Sequence, residues 1–367
     1  MKTTDYIASD IRIDYPLDRL SSPDRILFLD IETTGLSPAN AELFLIGAAS
    51  YSHAGLHIIQ YFAEEPGEEK AILEAFSELI RDYDTLITFN GNKFDIPFLE
   101  KRAFIYGVDL GLSAKKGVDI YRRIKPYKRL LGMEDMKQKS LERFLGIDRI
   151  DEVSGKQMII LYGSYVSDKN ESSLKLLLQH NYDDVINLPS LLPLLSYPDV
   201  MNGEIKAERA VLNNYRDYEG RPRTEMIIEF TYDPPVPVPV SAGFADCYLM
   251  LGGKKGKIRV AVIEGVLKYY YPDPSNYYYL PEEDRAVHKS QGRYVDREYR
   301  VQATPATCYV KHRGRFLPQW ENIMTPVFRA DHRDRTSFFE FRDEMKDDPE
   351  LFSKYAGHLM NMILGQL

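Results

Sequence analysis

The element that most limits what this chain can fold into is RILFLDIE (residues 25–32), an apolar run that ends in two carboxylates. Side chains alternate along a strand, so Asp30 and Glu32 share one face with Phe28 while Leu29 and Ile31 point to the other. Such a pair at the end of an apolar strand is costly unless positive charge meets it. A hard divalent cation with oxygen ligands would supply that charge. The alternative is a carboxylate pair opening into solvent at the strand's end.

The segments that follow read as α/β. A Thr-Thr-Gly turn leads to AELFLIGAASY, and GLHIIQYFAE has the turn-bounded apolar character of a third strand. In GEEKAILEAFSELIRDY, Ile72, Leu73, Phe76, Leu79 and Ile80 recur at helical spacing. TLITFN (85–90) reads as a short buried strand, PFLEKRAFIYG as a helix with Pro97 in its first turn, and KGVDIYRRI as a fifth strand. From about 139 to 196 the pattern is helical. Strands alternating with helices predict a mixed sheet covered by helices. A Pro/Asn/Gly interruption at SYPDVMNGE (196–204) predicts a boundary, giving an N-terminal extension at 1–21, a first domain at 22–198 and a second at 204–367. The second domain reads as a β-rich α+β unit, with Pro234, Pro235, Pro237 and Pro239 marking an extended edge or linker. Two helices, SFFEFRDEMKD and PELFSKYAGHLMNMIL, are expected to close it.

With 367 residues, 44% of them hydrophobic and 28% charged, the chain is long enough for two or three cores and unlike a disordered sequence. Two cysteines, Cys247 and Cys308, form no disulfide framework and are expected as buried thiols in a reducing cytoplasm. No apolar run approaches the ~20 residues that span a bilayer, and the first residues lack a secretory pattern, so a cytoplasmic protein without a membrane partner is expected. The net charge of −8 argues at first against nucleic acid. It is unevenly spread: residues 1–200 hold 23 Lys plus Arg against 31 Asp plus Glu, and residues 201–367 hold 24 of each.

Two further segments bear chemistry. In TLITFNGNKFDIPFLEKR a strand delivers Asn90, and Asp95 follows at a helix start, where it serves as an N-cap, a metal ligand or both. In the late helical stretch His180 and Asp184 stand four residues apart and project from one face, with Leu174, Leu178, Val185 and Leu188 expected as an apolar stripe on the opposite side.

Taken in order, these three segments resemble the DEDD family of 3′–5′ exonucleases with a ribonuclease-H-like fold, and within it the bacterial YprB-like branch of predicted exonucleases. DIETTGL resembles the family's first motif and FNGNKFDIPF its second, and the third falls in a late helix as in the family. The resemblance spans about residues 22–195. It implies a ribonuclease-H-like mixed five-stranded sheet with flanking helices, and Asp30, Glu32, Asp95 and Asp184 as ligands of two Mg²⁺ or Mn²⁺ ions. Two ions ~3.5–4 Å apart would activate water, neutralise phosphate charge and stabilise the leaving 3′-oxygen. The chain departs from the family at one point. One subclass has Tyr four residues before the last Asp and another has His five before it. Here His180 holds the four-residue position and Gln179, which cannot act as a base, the five-residue one. His180 is either the water-activating base, suited by an ordinary pKa of ~6.5, or a helix-surface residue of a weakened enzyme.

The resemblance also implies that Thr33, Thr34, Gly35 and Leu36 meet the terminal nucleotide, with Asn90 and Phe94 close by; Leu36 and Phe94 could equally be core. KKGVDIYRRIKPYKR (115–129) carries seven basic residues, one acidic residue and two interleaved tyrosines, so it is either a nucleic-acid track or a solvated basic face. Residues 285–335 hold 11 basic and 5 acidic residues, downstream of tyrosines at 269–271 and 277–279; these aromatics suit a strand-guiding platform or a β-core. The implied partner is a single-stranded RNA or DNA 3′ end. Two alternatives remain: a catalytically weak exonuclease-like module that binds nucleic acid or acts as a scaffold, and a structure-selective endonuclease using the same two metals.

Overall fold

A computed structural model describes residues 1–9, 11, 13–52, 54–149 and 153–366. The chain forms two compact units, Met1–Asp199 with Val236–Val238, and Val200–Pro235 with Pro239–Leu367. Among the described residues no helix is long and apolar enough to cross a membrane.

In the first unit, strands β1 (Lys2–Ala8), β2 (Ile26–Thr33), β3 (Leu43–Ser52), β4 (Gly55–Phe62), β5 (Thr85–Thr88) and β6 (Lys116–Asp119) form one mixed sheet in the order β1-β4-β3-β2-β5-β6. The β1, β4, β3 and β2 strands pair antiparallel, whereas β2–β5 and β5–β6 pair parallel. The sheet therefore has six strands and not the expected five. Lys2–Ala8, read as part of an extension, pairs along β4 from Lys2 opposite Phe62 to Ala8 opposite Leu56. Its sequence, KTTDYIA, lacks the apolar run that marks an inner strand, as expected of an edge strand with one exposed side. KGVDIYRRI is a strand only to Asp119, whose side chain then caps helix α3 (Ile120–Ile124) by accepting from the Arg122 N–H.

Helix α1 (Glu69–Ile80) buries Ile72, Leu73, Phe76 and Ile80 as its spacing predicts, and α2 (Asp95–Tyr106) ends on Gly107 in the left-handed conformation. Helices α4 (Gln138–Phe144), α5 (Gly155–Asp168) and α6 (Glu171–Leu191) follow. Leu29 and Ile31 of β2 join Leu43, Phe44 and Leu45 of β3, with Phe76, Phe98, Tyr162 and Leu177 from the helices, in one core. Arg102 of α2 donates through Nε to Glu69 (2.6 Å) and through Nη2 to its second oxygen, while the same carboxylate accepts from Leu43 N–H at 2.9 Å, tying α1, α2 and β3 together.

In the second unit, β7 (Lys206–Arg216), β8 (Pro222–Phe244) and β9 (Cys247–Ala261) form a three-stranded sheet. Strands β10 (Ile263–Tyr270), β14 (Tyr309–Gln319), β16 (Ser337–Glu340) and β15 (Phe328–Arg329) close a small barrel, and β12 (Arg285–His288), β11 (Tyr277–Leu280) and β13 (Val301–Gln302) form a third sheet. SFFEFRDEMKD, expected as a helix, instead begins with β16, because Ser337–Glu340 pairs along β14; only Pro349–Gln366 is a closing α-helix. The tyrosines serve packing: Tyr271 stacks on Tyr277 with centroids 4.4 Å apart, and Tyr270 meets Tyr309 edge-on at 5.4 Å. Both cysteines are free and buried.

Candidate active site

The site is built where β2 runs out against α2 and α6. Apolar packing of Leu29 and Ile31 fixes the face of β2, which leaves Asp30 and Glu32 on the other, half-buried. Asp30 lies opposite Gly47 of β3. The glycine is required there by space, since a Cβ at Gly47 would sit 2.1 Å from Asn181 Oδ1 and 2.7 Å from Val185 Cγ2. Without it α6 comes close enough for Asn181 Nδ2 to donate to Asp30 Oδ2 at 3.0 Å. Asn181 is itself oriented, because Gln60 Nε2 donates to its Oδ1 at 2.9 Å and to the Leu178 carbonyl at 2.9 Å. Thr4 of β1 donates to Gln60 Oε1 at 3.0 Å, so a polar relay runs across the sheet from the edge strand to Asp30.

Asp95 enters from α2. It is the first residue of the helix and not its N-cap, which is Phe94. It is 5% exposed, and its Oδ1 accepts from the Ile31 N–H of β2 at 3.3 Å. The turn that delivers it is held from the far side. Buried Asp119 accepts from Asn90 N–H (2.9 Å) and Asn92 N–H (3.2 Å), while Asn90 takes a positive φ of 63°.

Helix α6 brings His180 and Asp184. His180 Nε2 lies 3.5 Å from Glu32 Oε1 and 3.3 Å from Asp184 Oδ2, and it is buried, not a surface residue. The other oxygen of Asp184 accepts from Arg149 Nη1 at 2.7 Å, and Arg149 also pairs with buried Glu142 at 3.2 Å. Gln138 Nε2 of α4 donates to the Asp184 carbonyl at 2.9 Å. The apolar stripe of α6 does not stand opposite this face as expected. Asn181 is buried between Leu177 and Val185, with His180 and Asp184 flanking them. Tyr182 points elsewhere and meets Tyr6 edge-on at 5.5 Å.

Four carboxylates from three separate segments thus converge. Burial raises the pKa of Asp30 well above the usual carboxylate range, and the negative charges of Asp184, Glu32 and Asp95 raise it further. Burial also pushes Asp95 up to about 7, against the opposing effect of backbone N–H donors from Asp95 itself and Ile31. Such a cluster is a poor resting place for four negative charges and a fitting donor set for divalent cations. Oxygens of Glu32 and Asp184 and a nitrogen of His180 lie within 4.8 Å of one another, close enough to hold one ion.

The remaining sequence-derived positions divide. Thr33 is buried, its Oγ1 donating to the Gly35 carbonyl at 2.8 Å, and Thr34 Oγ1 accepts from Glu42 N–H, so both shape the turn after β2. Leu36 is 84% exposed and is not core, whereas Phe94 packs partly buried against the core and Phe98. Asn181, Gln60, Gly47, Arg149 and Asp119 went unnoticed in the sequence. Asn181 lies between His180 and Asp184, where its spacing from Leu177 and Val185 marks the buried face, and Asp119 is the one acidic residue of the basic segment 115–129.

Residues 27–196, within the first unit, match the family described as the RNase_H superfamily. A relative is the uncharacterized protein YprB of Bacillus subtilis, 30% identical over 174 residues that cover 46% of this chain and 41% of YprB. A DNA polymerase of Methanocaldococcus jannaschii is 32% identical over 63 residues, 17% of this chain and 3% of the polymerase. Among solved structures, the family B DNA polymerase of Pyrobaculum calidifontis aligns with a TM-score of 0.37 at 17% identity, over 71% of this chain and 39% of that one. Brucella melitensis NrnC with bound Mg²⁺ aligns with a TM-score of 0.31 at 16% identity, over 48% and 73%. The chain spans less than half the length of YprB and of the Pyrobaculum polymerase.

Proposed function

We propose that the first unit is a metal-dependent 3′–5′ exonuclease that hydrolyses phosphodiester bonds at single-stranded RNA or DNA ends. One observation carries this reading: Asp30, Glu32, Asp95 and Asp184 are gathered into one cluster, in which burial and the neighbouring negative charges hold Asp30 well above the usual carboxylate range and burial raises Asp95. In this reading those four side chains hold two Mg²⁺ or Mn²⁺ ions. When bound, the ions neutralise phosphate charge, lower the pKa of water and stabilise the leaving 3′-oxygen.

The protein's own groups do the rest. Asn181 fixes the rotamer of Asp30, and Arg149 holds one oxygen of Asp184 so that the other faces His180 and Glu32. His180, between two carboxylates, takes the proton of the attacking water. The turn after β2, with exposed Leu36 at its tip, and Asn90 on the facing turn offer contacts to the terminal nucleotide, Leu36 covering its base. The net charge of −8 is no obstacle once two divalent ions offset the four carboxylates. Binding should therefore require the metal and weaken as salt rises. The second unit is proposed as an accessory domain, and the protein as cytoplasmic.

The test is digestion of 3′- and 5′-labelled single-stranded RNA and DNA with Mn²⁺ by the full chain and its Asp30→Ala variant. Stepwise loss of 3′ nucleotides, abolished in the variant, is the expected result. Internal cuts would replace the reading with a structure-selective endonuclease, and intact substrate under every metal condition with a binding module. His180→Ala protein with full activity would remove the base assignment alone.

A further inference from the structure

Beside the carboxylate cluster lies a separate cavity of about 450 Å³, walled by Asn90, Lys93, Tyr121, Arg122, Lys125 and Pro126. Its size falls in the range of small-ligand sites. Three of these side chains are cations, and among the described residues none of Lys93, Arg122 and Lys125 makes an ion pair. By contrast, Arg102 and Arg149 are each paired with a carboxylate. The single acidic group of the cavity, Asp119, is buried and already engaged by the backbone N–H groups of Asn90, Asn92 and Arg122. It therefore acts as a fastener of the walls more than as a counter-ion.

The aromatic member is placed to receive a flat ligand. Tyr121 is half-buried, braced edge-on by Phe89 with centroids 5.7 Å apart, and Lys125 Nζ lies 5.4 Å from its ring centroid. A rigid ring beside uncommitted cations is the combination that single-strand binders use: base stacking with phosphate neutralisation. The cavity is also mechanically tied to the carboxylate cluster. Asn90 and Lys93 lie on the turn that leads into Asp95, and Asp119 pins that turn to the start of α3.

We infer that this cavity is a nucleotide subsite for the single-stranded substrate, with Tyr121 stacking on one base and Lys93, Arg122 and Lys125 holding the adjoining phosphates. The inference rests on the nuclease reading and adds to it a second holding point away from the cluster. It gives a role to Arg122 and Lys125, two of the seven basic residues in 115–129.

The experiment is fluorescence anisotropy with the full chain, Mg²⁺ and a 3′-labelled oligonucleotide whose linkages are all the phosphorothioate diastereomer that resists cleavage in Mg²⁺, so that binding is read without digestion. Tyr121→Ala should weaken binding about 5- to 100-fold, and Tyr121→Phe should restore most of it. Lys93→Gln, Arg122→Gln and Lys125→Gln together should lower the slope of log affinity against log salt by up to about 2, at about 0.7 per phosphate contact. These side chains are exposed, so the charge variants keep the fold and remain informative if Tyr121→Ala does not. Oligonucleotides missing one base at successive positions locate the stacked base: one position should reproduce the Tyr121→Ala loss and add nothing to it in that variant. If the wild type binds and all variants match it, the subsite is wrong while the nuclease reading stands. If the wild type binds no strand at all, both fall.

Discussion

Replacing Asp95 with Asn should stabilise the metal-free protein, and the size of the gain can be worked from the site. Asp95 is 5% exposed and its carboxyl is pushed up to about 7 in the folded state. In the unfolded chain the same group titrates near its ordinary value of about 3.9. Between these two values the folded state holds a proton that the unfolded state has released, so stability is highest in acid, falls as pH rises through the window, and levels off above about 7. A shift of about three units corresponds to about 4 kcal/mol in full, of which about 2–3 kcal/mol is lost between pH 5 and pH 8. Asn keeps the acceptor for the Ile31 N–H and carries no charge, so Asp95→Asn should lose that share of the pH dependence, keep the share due to Asp30, and exceed the wild type at pH 8. The assay is urea unfolding in EDTA at both pH values, followed by far-ultraviolet circular dichroism. Fluorescence would report the wrong unit, because the only tryptophan, Trp320, lies in the second. Adding Mn²⁺ at 100 times its Kd should restore about 2.7 kcal/mol to the wild type and little to the variant. An Asp95→Asn protein no more stable than the wild type at pH 8, with the same pH dependence, would refute the reasoning.

Gly47→Ala should cost about 1–3 kcal/mol by overpacking, and should also weaken Mn²⁺ binding in calorimetry, because the new methyl group displaces the amide that holds Asp30. Asn181→Leu should leave Asp30 without that donor and weaken metal affinity about 10- to 100-fold, as loss of an outer-shell partner typically does. Arg102→Met should destabilise by about 3–5 kcal/mol, since it strands the 1%-exposed Glu69. Adding Glu69→Gln should recover much of that loss in unfolding titrations, the amide oxygen still accepting from Leu43 N–H.

What the sequence revealed and what it hid divide along sequence distance. RILFLDIE announces its strand, its buried face and its carboxylates within eight residues, and His180 and Asp184 follow from the helical repeat. The relay from Thr4 through Gln60 and Asn181 to Asp30 crosses three strands and a helix, so no local pattern contains it. Gly47 reads as one small residue in an apolar strand until the helix above it is in place. Arg149 follows α4 in a stretch with no motif, and its role appears only when α6 carries Asp184 to it. Lys2–Ala8 was obscured because an edge strand needs no continuous apolar run, and β16 because an apolar-acidic segment of a few residues suits a short strand as well as a helix turn.

The central claim is that Asp30, Glu32, Asp95 and Asp184 bring divalent ions against the scissile phosphate. The most direct measurement is single-turnover cleavage of an oligonucleotide with one stereopure phosphorothioate at its 3′-terminal linkage, compared in Mg²⁺ and in Mn²⁺. The account predicts that one diastereomer is cut far more slowly than the natural linkage in Mg²⁺ and regains its rate in Mn²⁺, which accepts sulfur more readily. Both diastereomers cut at the natural rate in Mg²⁺, or no recovery in Mn²⁺, would contradict it.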